Sequence, residues 1–229
     1  MAELNRRSLL KVGFAAGAAS VGALVSQSAA AAQKEPADKT ATNTFDAIVL
    51  GAGIAGAVTA AQARMLGARV ALLEKMDRPA GNAICALGGF CAWGSRHQKA
   101  LGIKDSEEEF YEAMMDISAG RADPALTRTY AKNIPADTDW LESEFKVPFG
   151  KPRTAAYPRL NRVCSIPGEG ITGGANATFK VLNAAVEKGV EVFYEHKAIE
   201  LLTDDRGAVI GVRAQTPAGK KNFYAKGGV

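Results

Sequence analysis

The chain has 229 residues, 47% hydrophobic and 23% charged, with a net charge of +4. That composition suits one full domain with a buried core and excludes a disordered or collagen-like chain. Arg6, Arg7 and Lys11 account for part of the charge, and the remainder is too small to point to nucleic acid.

Asn5-Arg6-Arg7-Ser8-Leu9-Leu10-Lys11 has the twin-arginine layout. An apolar stretch rich in Gly and Ala follows to about Val25, and the small residues of "SQSAAAAQ" suit cleavage near Ala30 to Ala32. A membrane anchor is the rival reading, but Val12 to Val25 is short and interrupted by Gly13, Gly17 and Gly22. Residues 1–32 are therefore expected to address the protein to the twin-arginine translocation machinery. The product would be periplasmic or otherwise extracytoplasmic, with membrane association left open. That pathway accepts folded cargo, so a cofactor made in the cytoplasm can leave already bound. Residues 33–44, which include "KEPADKTATNT", read as a polar linker, and 45–229 as part of a nucleotide-binding domain.

The domain opens with "FDAIVLGAGIAGAVTAAQARMLGARVALLEK". Asp46 to Leu50 reads as a strand, Ala55 to Leu66 as a small-residue helix closed by Gly67, and Arg69 to Leu73 as a second strand. Gly51, Gly53 and Gly56 have the GxGxxG spacing. Gly51 permits a sharp turn, Gly53 lets backbone amides approach a pyrophosphate, and Gly56 lets the helix sit close on the sheet. The helix N-terminus offers amides and partial positive charge to the phosphates. Glu74 lies 18 residues beyond Gly56, placed to accept bonds from ribose hydroxyls.

A simple NAD domain would run into another helix after Glu74. Here "MDRPAGNAICALGGFCAWGS" follows instead, with Gly81, Gly88, Gly89 and Gly94. Side chains kept away from something large fit the longer reach of FAD, against the alternative of an ordinary glycine-rich loop.

Ser106 and Glu109 form a capping box for a helix over 106–118 with Phe110, Met114 and Ile117 on one face. Glu107 to Glu109 then form a solvated first turn rather than a metal site. Asp123 and Pro124 start another helix, which Pro135 is expected to restart or kink. Trp93 and Trp140 read as core residues. Residues 149–174 are expected to be irregular, with Lys151, Arg153, Arg159 and Arg162 either solvated or facing an anion. A helix from Ala175 places Phe179, Leu182 and Val186 on one face and stops at Gly189. Glu191 to Tyr194 would be a third parallel strand. Ile199 to Thr203, Ala208 to Gln215 and Lys221 to Ala225 read as a three-stranded meander, with Asp204 and Asp205 in its first turn.

Cys85, Cys91 and Cys164 form no CxxC or CxxCH, and only His97 and His196 accompany them, so no protein-held metal site is expected. Both histidines read as surface or packing residues. Cys85 and Cys91 have five residues between them, where disulfide reductases have four. They read as small apolar side chains in a packed loop, free to close into an incidental disulfide outside the cell.

These motifs together resemble the fumarate reductase and succinate dehydrogenase type flavoproteins, particularly the soluble or exported fumarate and urocanate reductase branch. The matching stretches are GAGIAG at 51–56, LLEK at 72–75, GNAICALGG at 81–89, IKDSEEEFYEAMMD at 103–116, DWLES at 139–143 and 173–205. The resemblance implies an α/β fold: a Rossmann-like FAD-binding domain with a parallel sheet, a helical insertion and a three-stranded β-meander. It puts Ala55 and Gly56 at the pyrophosphate beside Gly51 and Gly53, and Glu74, with Lys75 of the same LLEK stretch, at the adenosine ribose. Asn82, Ala83, Gly88 and Gly89 would lie along the ribityl and isoalloxazine part, and the backbone of Ala198 near adenine. The family often has two glycines before the asparagine, whereas Ala80 precedes Gly81 here, and the extra methyl would tighten that turn. Membrane-bound respiratory members carry a histidine, bonded to the flavin, at the position of Asn82. An amide cannot make that bond, so the FAD is expected to be non-covalent.

The resemblance also implies that a further buried strand, a glycine pair, a capping domain and the arginine and histidine residues that bind substrate would follow Val229. The capping domain is absent from this sequence and no catalytic residue is named. The expected activity is reduction of an activated C=C bond in a small unsaturated acid, with electrons from a separate cytochrome or quinol-linked donor. The alternatives are dehydrogenation in the reverse sense, as of ketosteroids, and a truncated fragment that binds FAD without turnover.

Overall fold

The computed structural model describes residues 43–154 and 161–229. The segment 1–32, most of the expected linker and Arg159 lie outside the described residues. The chain forms two compact units, one through Gly81 together with Leu182–Val229, the other Asn82–Val181.

In the first unit β1 (Thr44–Leu50) begins two residues before the expected Asp46 and pairs in parallel with β2 (Val70–Leu73). Between them α1 (Ile54–Met65) turns Ala57, Ala60 and Ala61 inward, all fully buried. Methyl groups at this spacing make one smooth face, so the helix lies close on the two strands. A third parallel strand, β6 (Glu191–Phe193), joins the far side of β2. The meander forms as β7 (Lys197–Thr203), β8 (Val209–Thr216) and β9 (Gly219–Gly228). Its first turn closes on Asp204, whose Oδ1 accepts the amides of Arg206 and Ala208, each at 2.9 Å.

The meander is not a separate layer. β9 continues to Gly228 and pairs in parallel with β1, so all six strands make one sheet in the order β6-β2-β1-β9-β8-β7. Phe45, Ile48, Ala71, Leu73, Val212, Ala214 and Phe223 form the core of this sheet. Each fully buried phenylalanine is worth about 2 kcal/mol. His196 packs between Phe193 and Phe223, with ring centroids 5.5 and 5.6 Å away.

The second unit contains β3 (Gly89–Cys91), α2 (Arg96–Ala100), α3 (Glu107–Ile117) and α4 (Pro124–Phe145). Ser106 caps α3 through the Glu109 amide at 3.2 Å, while Asp105, not Glu109, bonds the Ser106 amide. The expected box is thus half formed. Asp123 caps α4, and the helix runs unbroken through Pro135 instead of restarting there. Trp93 donates to the Ala131 carbonyl at 2.6 Å beside a core of Ala92, Phe110, Ala131 and Ile134. Trp140 meets Phe145 edge-on at 4.7 Å.

The described parts of 149–174 are more regular than expected. β4 (Arg153–Thr154) and β5 (Asn161–Ser165) pair antiparallel with each other and β5 with β3. Lys151 and Arg153 are exposed, but Arg162 is buried and makes a two-pronged ion pair with Asp105. The reason is 57 residues away in sequence, where no local pattern could reveal it. The chain returns to the first unit through α5 (Gly173–Glu187), which buries Phe179, Val181, Leu182 and Ala185.

Candidate cofactor site

In the first unit the three glycines of the turn do different work. Gly51 has φ +99, and its amide donates to the Leu73 carbonyl at 2.7 Å, tying the turn to β2. Gly53 is the N-cap of α1, and a methyl group built there would meet nothing within 4 Å. A methyl on Gly56 would lie 1.8 Å from the Gly51 carbonyl oxygen, so the helix start rests directly on the turn.

No side chain caps α1 and its first turn holds no acidic residue. The first helical bond runs from Ala57 N–H to the Gly53 carbonyl, at 2.9 Å. The amides of Ile54, Ala55 and Gly56 precede it and have no partner within the helix. Three such amides, the positive helix end and open space at Gly53 fit a pyrophosphate.

Glu74 closes the other side of this turn. It is 6% exposed, its Oε2 accepts the Ala52 amide and its Oε1 the Met76 amide, each at 2.8 Å. A buried carboxylate needs such partners, and each oxygen keeps acceptor capacity for the hydroxyls of a ribose. Burial and the nearby Glu74 charge push the Tyr194 hydroxyl up to about 12, so it remains a neutral group at neutral pH. Lys75 is exposed. Ala198 is half-buried on β7, two residues after His196, whose amide donates to the Glu74 carbonyl at 2.8 Å. The first unit thus groups Gly51, Gly53, Ala55, Gly56 and Glu74 around one turn, with the start of β7 laced to the Glu74 backbone.

Ala80 also belongs to this turn. It is fully buried, its amide donates to the Ala52 carbonyl at 2.8 Å, and it holds φ +81, a conformation that favours glycine. An L-residue there costs about 1 kcal/mol or more. Replacing Ala80 with glycine therefore relieves strain while losing a methyl and loosening the unfolded chain. We expect Ala80→Gly to change unfolding free energy by less than about 0.5 kcal/mol. Ala57→Gly, equally buried but helical, should cost about 1–2 kcal/mol. Equal losses for the two variants in denaturant melts would contradict the strain.

In the second unit Asn82 and Ala83 lie in a single 3-10 turn (Gly81–Cys85), with Asn82 exposed. Gly88 has φ +91, and a methyl there would come within 2.6 Å of the Ile166 carbonyl and 2.8 Å of Gly173 Cα. Gly94 has φ +63 and sits beside Pro135. Protein packing therefore accounts for two of the glycines that the sequence suggested were cleared for a ligand. Gly89, the first residue of β3, has only an ordinary contact with Val163.

The remaining polar candidates are engaged elsewhere. His97 Nε2 lies 2.8 Å from Glu142 Oε2. All three cysteines are free thiols: Cys85 is exposed rather than packed, Cys91 is half-buried on β3 and Cys164 is buried on β5. Burial raises the Cys91 thiol against the pull of Arg162, and burial, with Glu142 and Cys91, pushes Cys164 up to about 11. Neither is a reactive thiolate. Among the described residues no group of three or more His, Cys, Asp or Glu could hold a metal, and no helix is long and apolar enough to cross a membrane.

Residues 46–229 match the family model described as an FAD binding domain. The chain belongs to the FAD-binding domain family. FAD, not NAD, is therefore the dinucleotide its turn serves, and the α/β fold class read from the sequence is the observed one. The chain is 32% identical over 172 residues to fumarate reductase (cytochrome) of Shewanella frigidimarina, covering 74% of this chain and 29% of that protein. It is 30% identical over 185 residues to urocanate reductase of Eggerthella lenta, covering 81% and 30%. Its fold resembles that of 3-ketosteroid-Δ4-(5α)-dehydrogenase from Rhodococcus jostii RHA1, with a TM-score of 0.71 at 23% identity over 84% of this chain and 46% of that one. The chain thus spans about three tenths of the length of these two curated relatives. The chain is thus an FAD-binding domain whose relatives include a fumarate reductase and a urocanate reductase.

Proposed function

We propose that this FAD-binding domain serves an exported oxidoreductase that reduces the activated C=C bond of a fumarate- or urocanate-like unsaturated acid. The observation that carries the reading is the open start of α1 beside the Glu74 carboxylate, in a chain whose relatives include a fumarate reductase and a urocanate reductase. When bound, FAD supplies hydride transfer to and from carbon. The turn amides of Ile54 to Gly56 would hold the pyrophosphate and Glu74 would accept the ribose hydroxyls, and the resemblance to the family assigns the ring end to the Asn82–Gly89 loop. By the resemblance, Asn82 takes the place of the histidine that bonds the flavin in membrane-bound members, and an amide cannot make that bond, which supports a cofactor held non-covalently. The relative from Shewanella is named for a cytochrome, which supports an electron carrier as donor. Arg6 and Arg7 support export through the twin-arginine machinery.

The test uses the full native product, purified from its own cells, reduced without oxygen and mixed with single acceptors. We expect FAD that is released intact on acid precipitation. Fumarate, urocanate or a related unsaturated acid should reoxidise the reduced flavin. Reduction of the oxidised flavin by a saturated steroid would instead establish the reverse chemistry. Absence of FAD from the purified product would overturn the reading altogether.

A further inference from the structure

The Asn82–Gly89 loop has little of its own to hold it. At the end of its short 3-10 turn the Ala86 amide bonds the Ala83 carbonyl at 3.0 Å, and Asn82, Cys85, Ala86 and Leu87 are exposed. What fixes it lies more than eighty residues later, at the start of α5. Thr172 Oγ1 is 2.9 Å from the Ile84 carbonyl and 3.2 Å from the Ala83 carbonyl, and it accepts the Ala175 amide at 3.2 Å. A hydroxyl has one proton and two acceptor sites, so this side chain caps α5 while donating back to the loop. The Gly174 amide adds a bond to the Ala86 carbonyl at 3.0 Å, and the Ile166 amide one to Gly88 at 2.8 Å.

The two glycines after Thr172 allow this contact. A methyl on Gly173 would fall 2.0 Å from the Ile166 carbonyl and 2.9 Å from Gly88 Cα. One on Gly174 would fall 2.7 Å from both the Ala83 carbonyl and the Ala86 methyl. The chain therefore meets the loop closely at both positions that follow the threonine.

We propose that Thr172, seated by Gly173 and Gly174, is the positioning residue of the Asn82–Gly89 loop and so sets the surroundings of the flavin ring. The part concerning the flavin rests on the proposed placement of the cofactor; the clamp itself does not. Thr172→Val keeps the shape and removes the hydroxyl, whereas Thr172→Ser keeps the hydroxyl.

The experiment compares both variants with the parent full-length protein, with and without FAD. Hydrogen exchange is measured without FAD, and the dissociation constant and visible circular dichroism of the flavin with it. Thr172→Val should exchange faster within residues 82–89, bind FAD about tenfold more weakly, and change the visible dichroism. Thr172→Ser should restore all three. Unchanged exchange in Thr172→Val overturns the clamp whatever the flavin does. Faster exchange with an unaltered flavin spectrum overturns the role toward the ring. If the parent itself takes up no FAD, the proposed function fails, and the exchange data still decide the clamp.

Discussion

Gly56→Ala is expected to lower stability by about 3 kcal/mol and to abolish measurable FAD retention. The added methyl falls 1.8 Å from the Gly51 carbonyl oxygen and 3.0 Å from its carbon. Both are backbone atoms of a turn fixed by the Gly51 bond to Leu73, so no flexible side chain can yield. Either α1 lifts from β1 and β2, exposing the buried faces of Ala57, Ala60 and Ala61, or the turn distorts and its amides lose their aim. For a domain of this size the loss corresponds to a melting temperature lower by roughly 10 °C. Gly53→Ala is the control. Its methyl meets nothing within 4 Å and its backbone is extended, so the protein without FAD should melt as the parent does. Only FAD affinity should fall, because the methyl occupies the space through which the pyrophosphate approaches. Thermal melts of the apo proteins and FAD titrations separate the two mechanisms. A Gly56→Ala protein with parental melting would show that the helix start does not rest on the turn in solution.

The contrast between these glycines shows what could be read from sequence. GxGxxG was legible because each position answers a local demand, and β1, α1 and β2 follow from short-range periodicity. The loop after Gly81 was less so. Its glycines suggested room for a ligand, yet Gly88 and Gly94 answer to Ile166, Gly173 and Pro135, which are distant in sequence. The small sheet of β3, β5 and β4 escaped notice because strands of two to five residues carry too few alternations to register. β9 was recognised as a meander strand, but its pairing with β1 joins positions nearly the whole domain apart. The Ala80 departure was visible as a missing glycine, and its physical cost appears only with the dihedral angle. Arg162 was taken with its basic neighbours because charge alone does not tell a solvated arginine from a paired one.

That arginine gives the second large effect. Arg162→Met is expected to cost about 3–5 kcal/mol at pH 7, because it leaves the Asp105 carboxylate without its cation. The two side chains are 2% and 1% exposed, and Arg162 Nε lies 2.6 Å from Asp105 Oδ2, with a second bond from Nη2 to Oδ1. Burial alone would raise the Asp105 carboxyl. The bonds from Arg162 and Gln98 more than offset it, so the group sits below the ordinary carboxylate range. A depressed folded value means that this stabilisation is complete above the unfolded value near pH 4 and is lost as pH falls through the folded one. In Arg162→Met the sign reverses. Burial then dominates, the carboxyl takes up a proton more readily when folded, and acid relieves the penalty. The stability gap between parent and variant should therefore narrow from pH 7 to pH 4, measured by chemical denaturation at each pH. The double variant Arg162→Met, Asp105→Leu removes both charges and should recover most of the loss, since a matched apolar pair often replaces a buried ion pair without penalty. A gap that stays constant with pH would mean that the arginine acts through its packing over Phe110, 5.3 Å away, rather than through its charge.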